Sequence, residues 1–211
     1  MREIDAFFDD KQTGFLPIEA GTYPAHVVGL TERDVNTKSG KAIVFQLAYK
    51  IAEEAKEIEQ NVYEMDGWNY TLNSSGNKVP VMNGDGTPKT AKCTHMPEKT
   101  FKDKGIFLFP GNANSGRNRR YFELLSVLGV ETASITKDGQ VLKKLVLLDE
   151  DDVVGKPFLV RISQEEFITS ETRDLPEPQQ VKKKVWKVFD RTPWEDGEVL
   201  DPAELSDDVP F

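Results

Sequence analysis

Residues 41–51 carry the pattern that most constrains the fold, because large apolar side chains alternate there with smaller or polar ones. The large positions are Ile43, Phe45, Leu47, Tyr49 and Ile51, and the intervening ones are Ala42, Val44, Gln46, Ala48 and Lys50. A period of two is that of a β-strand with one face in the core. Residues 36–41 are turn formers, and Gly40 can adopt the positive φ of a tight turn. We therefore predict a hairpin that joins a strand from residue 21 to about 35 with this one.

The next apolar segment, residues 57–70, predicts a third strand that completes a meander. Residues 71–100 are polar and rich in Gly, Asn and Pro, which indicates a long loop or a small β-hairpin excursion. A helix is predicted to begin at Asn114 or Ser115, either of which could cap it, and to end before Gly129. Its core face repeats at helical spacing through Tyr121, Leu124, Leu125 and Leu128.

After the helix, residues 141–148 indicate a short strand and residues 149–154 a helical turn. Residues 158–167 and 181–189 predict two long strands with a proline-containing loop between them. Three strands, a helix and two strands are the order of the oligonucleotide-binding (OB) fold, a five-stranded barrel with one helix between strands 3 and 4. We therefore expect a mainly β chain of this architecture.

Composition limits the chain to one sizeable core with appended loops and tails, since 38% of its 211 residues are hydrophobic. Cys93 is the only cysteine, which excludes an internal disulfide. With His95 it forms a C-x-H pair, but His26 is the only other histidine, so zinc ligands are too few and no cofactor is expected. The absence of an 18-residue apolar run and the acidic N-terminus lead us to expect a cytosolic chain without a membrane partner.

Charge is segregated along the chain. The net charge is −9, but residues 195–211 hold seven acids and no base, which leaves −2 for residues 1–194. Within that body, residues 99–120 carry a local +5 and residues 182–191 a local +4. The chain is therefore not uniformly acidic, and its basic segments are compatible with a nucleic-acid partner despite the negative net charge.

The chain ends in Asp207, Asp208, Val209, Pro210 and Phe211. This ending resembles that of bacterial and phage single-stranded-DNA-binding proteins, whose extreme C-terminus is a short acidic run closing in Pro-Phe. A terminal Phe offers one apolar side chain for a pocket, and its carboxylate can pair with a basic rim. The resemblance implies that Asp207, Asp208, Pro210 and Phe211 recruit replication or recombination proteins such as a polymerase, a helicase, a primase or a nuclease.

A broader resemblance, over about residues 20–165, is to a phage family of OB-type single-strand binders. The segments that show this resemblance are the Gly-Thr-Tyr that opens the first strand, the turn at residues 37–41, the helix from Arg120 to Val130 and the Val-Gly-Lys-Pro at residues 154–157. It implies a DNA-binding domain at residues 1–194 with an insertion at about 71–104, and a disordered acidic tail at 195–211. A phage-encoded chain would work in the host cytoplasm, as a monomer or a homodimer.

Binding single strands without sequence preference requires cations for the phosphates and exposed aromatic rings for the bases. The candidate stacking residues are Trp68, Tyr70, Phe107 and Trp186. The candidate phosphate contacts are Lys41, Lys50, Lys102, Lys104, Arg117, Arg119, Arg120, Lys182, Lys183 and Lys184. Together they predict a non-enzymatic protein that coats and protects single-stranded DNA in replication and recombination.

Two alternatives stay open on the sequence. Residues 111–118 mimic the spacing of a phosphate-cradling G-x-x-x-x-G-K-[ST] loop, although Arg117 replaces the lysine and Asn118 the magnesium-binding hydroxyl. With acid clusters such as residues 149–152, this loop would suit a nucleotide- or metal-dependent DNA-processing enzyme. The other alternative is a recombination protein that anneals strands.

Overall fold

The computed structural model describes residues 18–66, 69–110, 116–137, 139–143 and 146–205. Its backbone is mainly antiparallel β-sheet. The chain divides into two compact units, Met1–Glu19 with Glu54–Pro97, and Ala20–Glu53 with Glu98–Phe211. We call the first the insert unit and the second the main unit. In the described ranges, no helix is long and apolar enough to cross a membrane.

The strands, in chain order, are β1 (Gly21–Thr37), β2 (Gly40–Ile51), β3 (Glu59–Asn61), β4 (Met65–Asp66), β5 (Asn69–Tyr70), β6 (Thr90–Lys92), β7 (Thr100–Lys102), β8 (Ile106–Leu108), β9 (Ser134–Lys137), β10 (Gln140–Lys143), β11 (Pro157–Ile168) and β12 (Lys182–Pro193). The helices are α1 (Arg119–Val127), α2 (Glu150–Val153) and α3 (Pro202–Leu205), with 3-10 turns at Glu53–Glu57 and Glu177–Gln179.

The main unit is built on one antiparallel sheet of strand order β12-β11-β1-β2-β7, in which β8 also pairs with β2. The predicted strand is confirmed as β2, in which Phe45, Leu47, Tyr49 and Ile51 are all at most 1% exposed. Its other face is also covered in part, since Ala42 is 2% and Val44 1% exposed. The predicted hairpin is confirmed too, because Thr37 lies opposite Gly40 at its turn. The predicted late strands correspond to β11 and β12, which pair over most of their length.

The two edges of this sheet meet at one point. Asp103, just after β7, forms an isolated parallel bridge with Val188 of β12. Asp103 is 1% exposed, and its carboxylate lies 2.9 Å from the guanidinium of Arg191. It also accepts hydrogen bonds from the N–H groups of Leu47 and Gly105, so this one side chain ties β2, the β7–β8 connection and β12 together.

Helix α1 follows β8 and precedes β11, and its predicted core face is confirmed. Tyr121, Leu124, Leu125 and Leu128 are at most 4% exposed. The hydroxyl of Tyr121 donates to the carbonyl of Val146 and accepts from the N–H of residue 148. The predicted start at residue 114 or 115 is wrong, because the helix begins at Arg119.

The predicted third strand is also wrong in its position. Residues 57–70 do not join the main sheet; they form β3, β4 and β5 of the insert unit. The strands that pair with the far side of β2 are β7 and β8, two three-residue segments. The aromatic residues of 57–70 gave that segment strand character, but Met65 is exposed and Tyr63 only partly buried, as suits a small unit with little core.

The internal segment of the insert unit is Glu54–Pro97, whereas the sequence placed the insertion at about 71–104. Its strands pair antiparallel, β3 with β6 and β4 with β5. Asn73 closes one tight turn by accepting hydrogen bonds from the N–H groups of Ser75 and Asn77. Around Tyr70, the ammonium of Lys78 lies 3.7 Å from the ring centroid, and Glu19 binds both side chains.

The prediction that the chain is disordered from residue 195 is wrong for residues 195–205. The N–H of Leu200 donates to the carbonyl of Gly155, and His26 donates from Nε2 to the carbonyl of Glu198 over 3.1 Å. The ring of Trp194 lies 5.6 Å from that of His26. We call residues 194–205 the C-terminal strap. Apolar side chains within the acidic sequence give it something to bury, which overrides the disorder that its composition favours.

Candidate nucleic-acid interface

The outer face of β2 and its partner strands carries three of the predicted DNA-binding residues. Directly opposed residues of an antiparallel pair point to the same face. Phe107 lies opposite Val44, and Lys102 lies opposite Ala48. Lys50 is two residues beyond Ala48, so it shares their face, on the side of β2 opposite to Phe45, Leu47 and Tyr49. Lys50, Lys102 and Phe107 therefore line one surface.

This outer face has both a stacking group and free cations. Phe107 is 42% exposed, and its position is about 13 Å from that of Lys102 at 3.3 Å per residue along β2. Arg33 of β1 joins the face because it lies opposite Val44, a placement that only the strand register reveals. Lys50 is paired with Glu98, whereas Lys102 and Arg33 have no carboxylate within 4.0 Å in the described ranges.

The aromatic surface continues beyond β8 into Phe109. The rings of Phe107 and Phe109 are stacked, with centroids 6.3 Å apart and planes 17° from parallel. The guanidinium carbon of Arg117 lies 5.9 Å from the centroid of Phe109, and the same side chain donates to the carbonyl of Ser39 at the β1–β2 turn over 3.2 Å. The predicted cation Arg117 is thereby brought to the aromatic pair.

Asn118 fixes this arrangement. The sequence alone did not predict this positioning role. Its side chain is buried and holds the backbone of Phe109 on both sides, accepting from the N–H over 2.8 Å and donating to the carbonyl over 3.2 Å. An Asn nine residues after an apolar segment is a signal too weak to reveal this. Because both ends of the amide are engaged, Asn118 does not present a free ligand to a phosphate or a metal ion.

A groove of about 650 Å³ lies between the tip of the β1–β2 hairpin and the segment after β8. Its lining includes Asp34, Asn36, Lys41, Ile43, Phe109 and Pro110. The predicted phosphate contact Lys41 is exposed on one wall, directly opposite Asn36 in the strand register. By strand alternation, Lys41 and Asn36 lie on the face of the hairpin opposite to Val44 and Phe107, and the groove meets the aromatic pair only at Phe109.

The β11–β12 hairpin carries other predicted contacts away from this surface. Gly21 lies opposite Ile162, so β11 runs on past the start of β1, in the direction opposite to the β1–β2 turn. The end of this hairpin, with Lys182, is therefore remote from Lys41 along the sheet. The strand register therefore does not gather the predicted phosphate contacts into one place.

The register also divides these lysines between two faces. Lys182, Lys184 and Trp186 share one face, and Lys183 points to the other. Lys182 lies 3.6 Å from Glu166, the residue opposite Lys184. Such lysines also suit an edge strand, which charged side chains protect from pairing with other chains.

Lys104 is engaged on the β11–β12 side of the sheet. Its ammonium lies 2.7 Å from Glu165 and 4.2 Å from the ring centroid of Phe189. Glu165 also pairs with Lys187 over 3.1 Å, and hydrogen bonds from Lys104 and Lys187 hold the pKa of its carboxyl below the ordinary value. This carboxylate neutralises part of the positive charge that the sequence places here.

Two predicted arginines stand at the start of α1, close in sequence to Arg117. Arg119 pairs with Glu123 one turn later over 2.7 Å, and both side chains are exposed. Arg120 is exposed and has no ion pair with another described residue. Of the two, Arg120 is the better placed to meet a phosphate.

The remaining predicted contacts belong to the insert unit or lie outside the described residues. Tyr70 belongs to the insert unit, where its hydroxyl binds Glu19 and where burial raises its pKa. Trp68 and the four partner-binding residues Asp207, Asp208, Pro210 and Phe211 lie outside the described residues.

Side chains that could serve other chemistry have structural roles. Asp149 and Asp152 form the reciprocal cap of helix α2, which accounts for the acid cluster at residues 149–152. Cys93 is buried, and burial raises the pKa of its thiol to about 11. Among the described residues, no group of three His, Cys, Asp or Glu side chains could hold a metal ion.

No family model matches the chain, and neither does a curated protein or a solved structure. The interpretation of the site therefore depends on its geometry and chemistry.

Proposed function

We propose that the protein is a non-enzymatic binder of single-stranded DNA, which holds the strand on the outer face of β2, β7 and β8. We call this surface, with Lys50, Lys102, Phe107, Phe109 and Arg117 as its markers, the aromatic face. The role that follows is to coat and protect exposed strands in phage replication and recombination.

The strand connectivity supports an OB-type architecture for the main unit. The segments β7 and β8 act together as the third strand, α1 comes next, and β11 and β12 are the fourth and fifth. The first strand pairs with the second and fourth, and the third meets the fifth in parallel at Asp103 and Val188. In OB domains, the face of strands 2 and 3 binds oligonucleotides, and the aromatic face occupies that position.

The observation that carries the proposal is the stacked pair of Phe107 and Phe109, with cations at both ends. Phe107 leaves 42% of its surface exposed and available for stacking, and one stacked base contributes about 1–3 kcal/mol to single-strand binding. Lys102 at one end and Arg117 at the other can meet the phosphates on either side of the stacked bases.

The test is the binding of labelled oligo(dT) and of a duplex of equal length, followed by fluorescence anisotropy without magnesium or nucleotide. We expect oligo(dT) to bind more tightly than the duplex, with an affinity that falls as salt increases. Phe107→Ala should weaken oligo(dT) binding by about 1–3 kcal/mol.

Phe167→Ala is the matched control, because Phe167 is similarly exposed, at 44%, but lies on the β11–β12 hairpin. Equal binding of oligo(dT) and duplex would contradict the proposal. So would equal losses of affinity in the two Phe variants.

We also propose that the acidic end recruits replication or recombination proteins. Because residues 194–205 form the strap, the recruiting segment is limited to residues 206–211. A chain ending at Leu205 should bind oligo(dT) at least as tightly as the full chain and should no longer retain such proteins from a cell extract. Unchanged retention would assign recruitment to another surface.

A further inference from the structure

We propose that the groove at the tip of the β1–β2 hairpin is a subsite for one nucleobase, and that it prefers guanine. This inference rests on the proposed binding of single-stranded DNA and adds a base preference to it. Phe109, which stacks with Phe107, lines the groove, whereas Asp34, Asn36 and Lys41 lie on the hairpin face opposite to Phe107. A strand that binds the aromatic face would therefore reach the groove around the end of β8, at Phe109.

One wall of the groove presents polar groups in a defined order. Asn36 and Lys41 are directly opposed in the hairpin, and Asp34 lies two residues before Asn36 on the same strand. Residues two apart on a strand point to the same face, so a carboxylate, an amide and an ammonium line this wall together. Phe109 and Pro110 form an apolar part of the opposite wall, where the flat face of a base can rest.

The walls are fixed before any ligand binds. The hydroxyl of Thr37 donates to the carbonyl of Gly40 over 2.8 Å and accepts from the N–H of Ser39, which closes the hairpin turn. Arg117 ties this turn to the start of α1, and Asn118 holds the backbone of Phe109. A subsite held in this way loses little entropy on binding.

Asp34 is the group that a purely phosphate-binding surface does not explain. It is exposed in the groove beside Lys41, and it has no basic partner within 4.0 Å in the described ranges. A free carboxylate repels phosphate, but it accepts hydrogen bonds from neutral N–H donors. The ligand that this position fits is therefore a base edge rather than the DNA backbone.

Guanine complements this wall better than the other bases do. Its Watson–Crick edge has two adjacent donors, N1–H and the N2 amino group, followed by the O6 acceptor. One carboxylate can accept both donors, and an ammonium can donate to O6. Thymine, cytosine and adenine each present a single donor group on that edge, and the acceptors beside it would face the carboxylate. Single-strand binders commonly read bases on this edge.

The test compares two labelled oligonucleotides of about 12 nucleotides, a length within the site size of one OB domain. One is all thymidine and the other has a single central dG. We expect the wild-type protein to bind the dG strand about tenfold more tightly, toward the lower end of what a bidentate base contact contributes. In Asp34→Asn, the ratio of the two affinities should fall to about one.

Asp174→Asn is the control, since it removes the same charge from an exposed position in the loop between β11 and β12. It should keep the wild-type ratio. Two results would overturn the guanine subsite and leave the proposed function standing. One is equal affinity of the wild type for the two strands, and the other is a preference for the dG strand that survives in Asp34→Asn. Failure to bind either strand would overturn the proposed function, and the subsite with it.

Discussion

Replacing Asp103 with Ala should destabilise the main unit more than any surface change. The carboxylate is buried, with Oδ1 accepting from the N–H groups of Leu47 over 3.3 Å and Gly105 over 2.8 Å. Its Oδ2 lies 2.9 Å from Arg191, whose side chain is 15% exposed. The substitution would leave a nearly buried guanidinium without a counter-charge and two backbone N–H groups without an acceptor, at the point where β12 meets β7.

Removing one member of a buried ion pair costs about 3–5 kcal/mol, because the other charge is left unpaired. For a chain of this size, that loss lowers Tm by roughly 6–20 °C. Thermal and urea unfolding followed by circular dichroism would measure it. Asp103→Asn should lose less stability than Asp103→Ala, since the amide oxygen can still accept hydrogen bonds from both N–H groups. A loss below about 1 kcal/mol in Asp103→Ala would refute the idea that this contact joins the sheet edges.

The same pair predicts a pH dependence. Burial raises the pKa of Asp103 above its ordinary value of 3.8, and Arg191 offsets part of that rise. In Arg191→Met this lowering effect of Arg191 on the pKa is lost. The carboxyl of Asp103 then ionises less readily in the folded state, whereas in the unfolded chain it ionises as usual. Stability should therefore fall as pH rises from about 3.8 through the raised pKa of Asp103, over a wider pH range and by a larger total in Arg191→Met than in the wild type. Parallel stability curves for the two proteins would contradict this.

Three further substitutions test other parts of the account. Tyr49→Phe should keep or raise the free energy of unfolding, by up to about 1 kcal/mol, because the buried hydroxyl has no hydrogen-bond partner in the described ranges; a clear loss in urea unfolding would contradict this. Gly155→Ala should expose the C-terminal strap to limited proteolysis, because φ is +84° and a Cβ would lie 2.1 Å from the carbonyl oxygen of Leu200 in the strap. The control Gly129→Ala, where φ is +71° and no atom lies near the added Cβ, should leave the strap protected. Asn118→Ala should weaken oligo(dT) binding by freeing the backbone of Phe109, and unchanged anisotropy curves would show that the ring needs no such anchor.

The parts of the fold that follow from local periodicity were predictable. The alternation through Phe45 and Leu47 identified β2 as a strand and one of its buried faces, and the spacing of Tyr121, Leu124 and Leu125 identified the core face of α1. Both patterns are strong because each places several large side chains on one side of a regular element.

The third strand was not predictable from the same signal. Its two segments are only three residues long, and they are separated by the connection that contains Asp103 and Gly105. Gly105 adopts φ +82°, and a Cβ there would lie 2.7 Å from a methyl group of Val44, so this connection is shaped by contacts distant in the chain. Periodicity over three residues cannot reveal such a strand, whereas the aromatic residues of the insert unit imitated one.

The candidate site was predictable in residue type but not in arrangement. Clusters of lysine in the sequence do not show on which face each side chain lies or which carboxylate the neighbouring strand supplies. Register places Glu165 and Glu166 beside the lysines of β12, whereas Lys102 has no carboxylate partner among the described residues. Likewise, the strap shows that an acidic composition predicts disorder poorly where a few apolar residues, such as Leu205, find a place to pack.

Photo-cross-linking of oligo(dT) to the protein, with the modified peptides identified by mass spectrometry, tests the aromatic face most directly. The account predicts thymine adducts on the peptide that carries Phe107 and Phe109, and their loss when excess unlabelled single strand competes. Adducts confined to the β11–β12 hairpin around Phe167 and Trp186, or a pattern that duplex DNA competes away equally well, would contradict it.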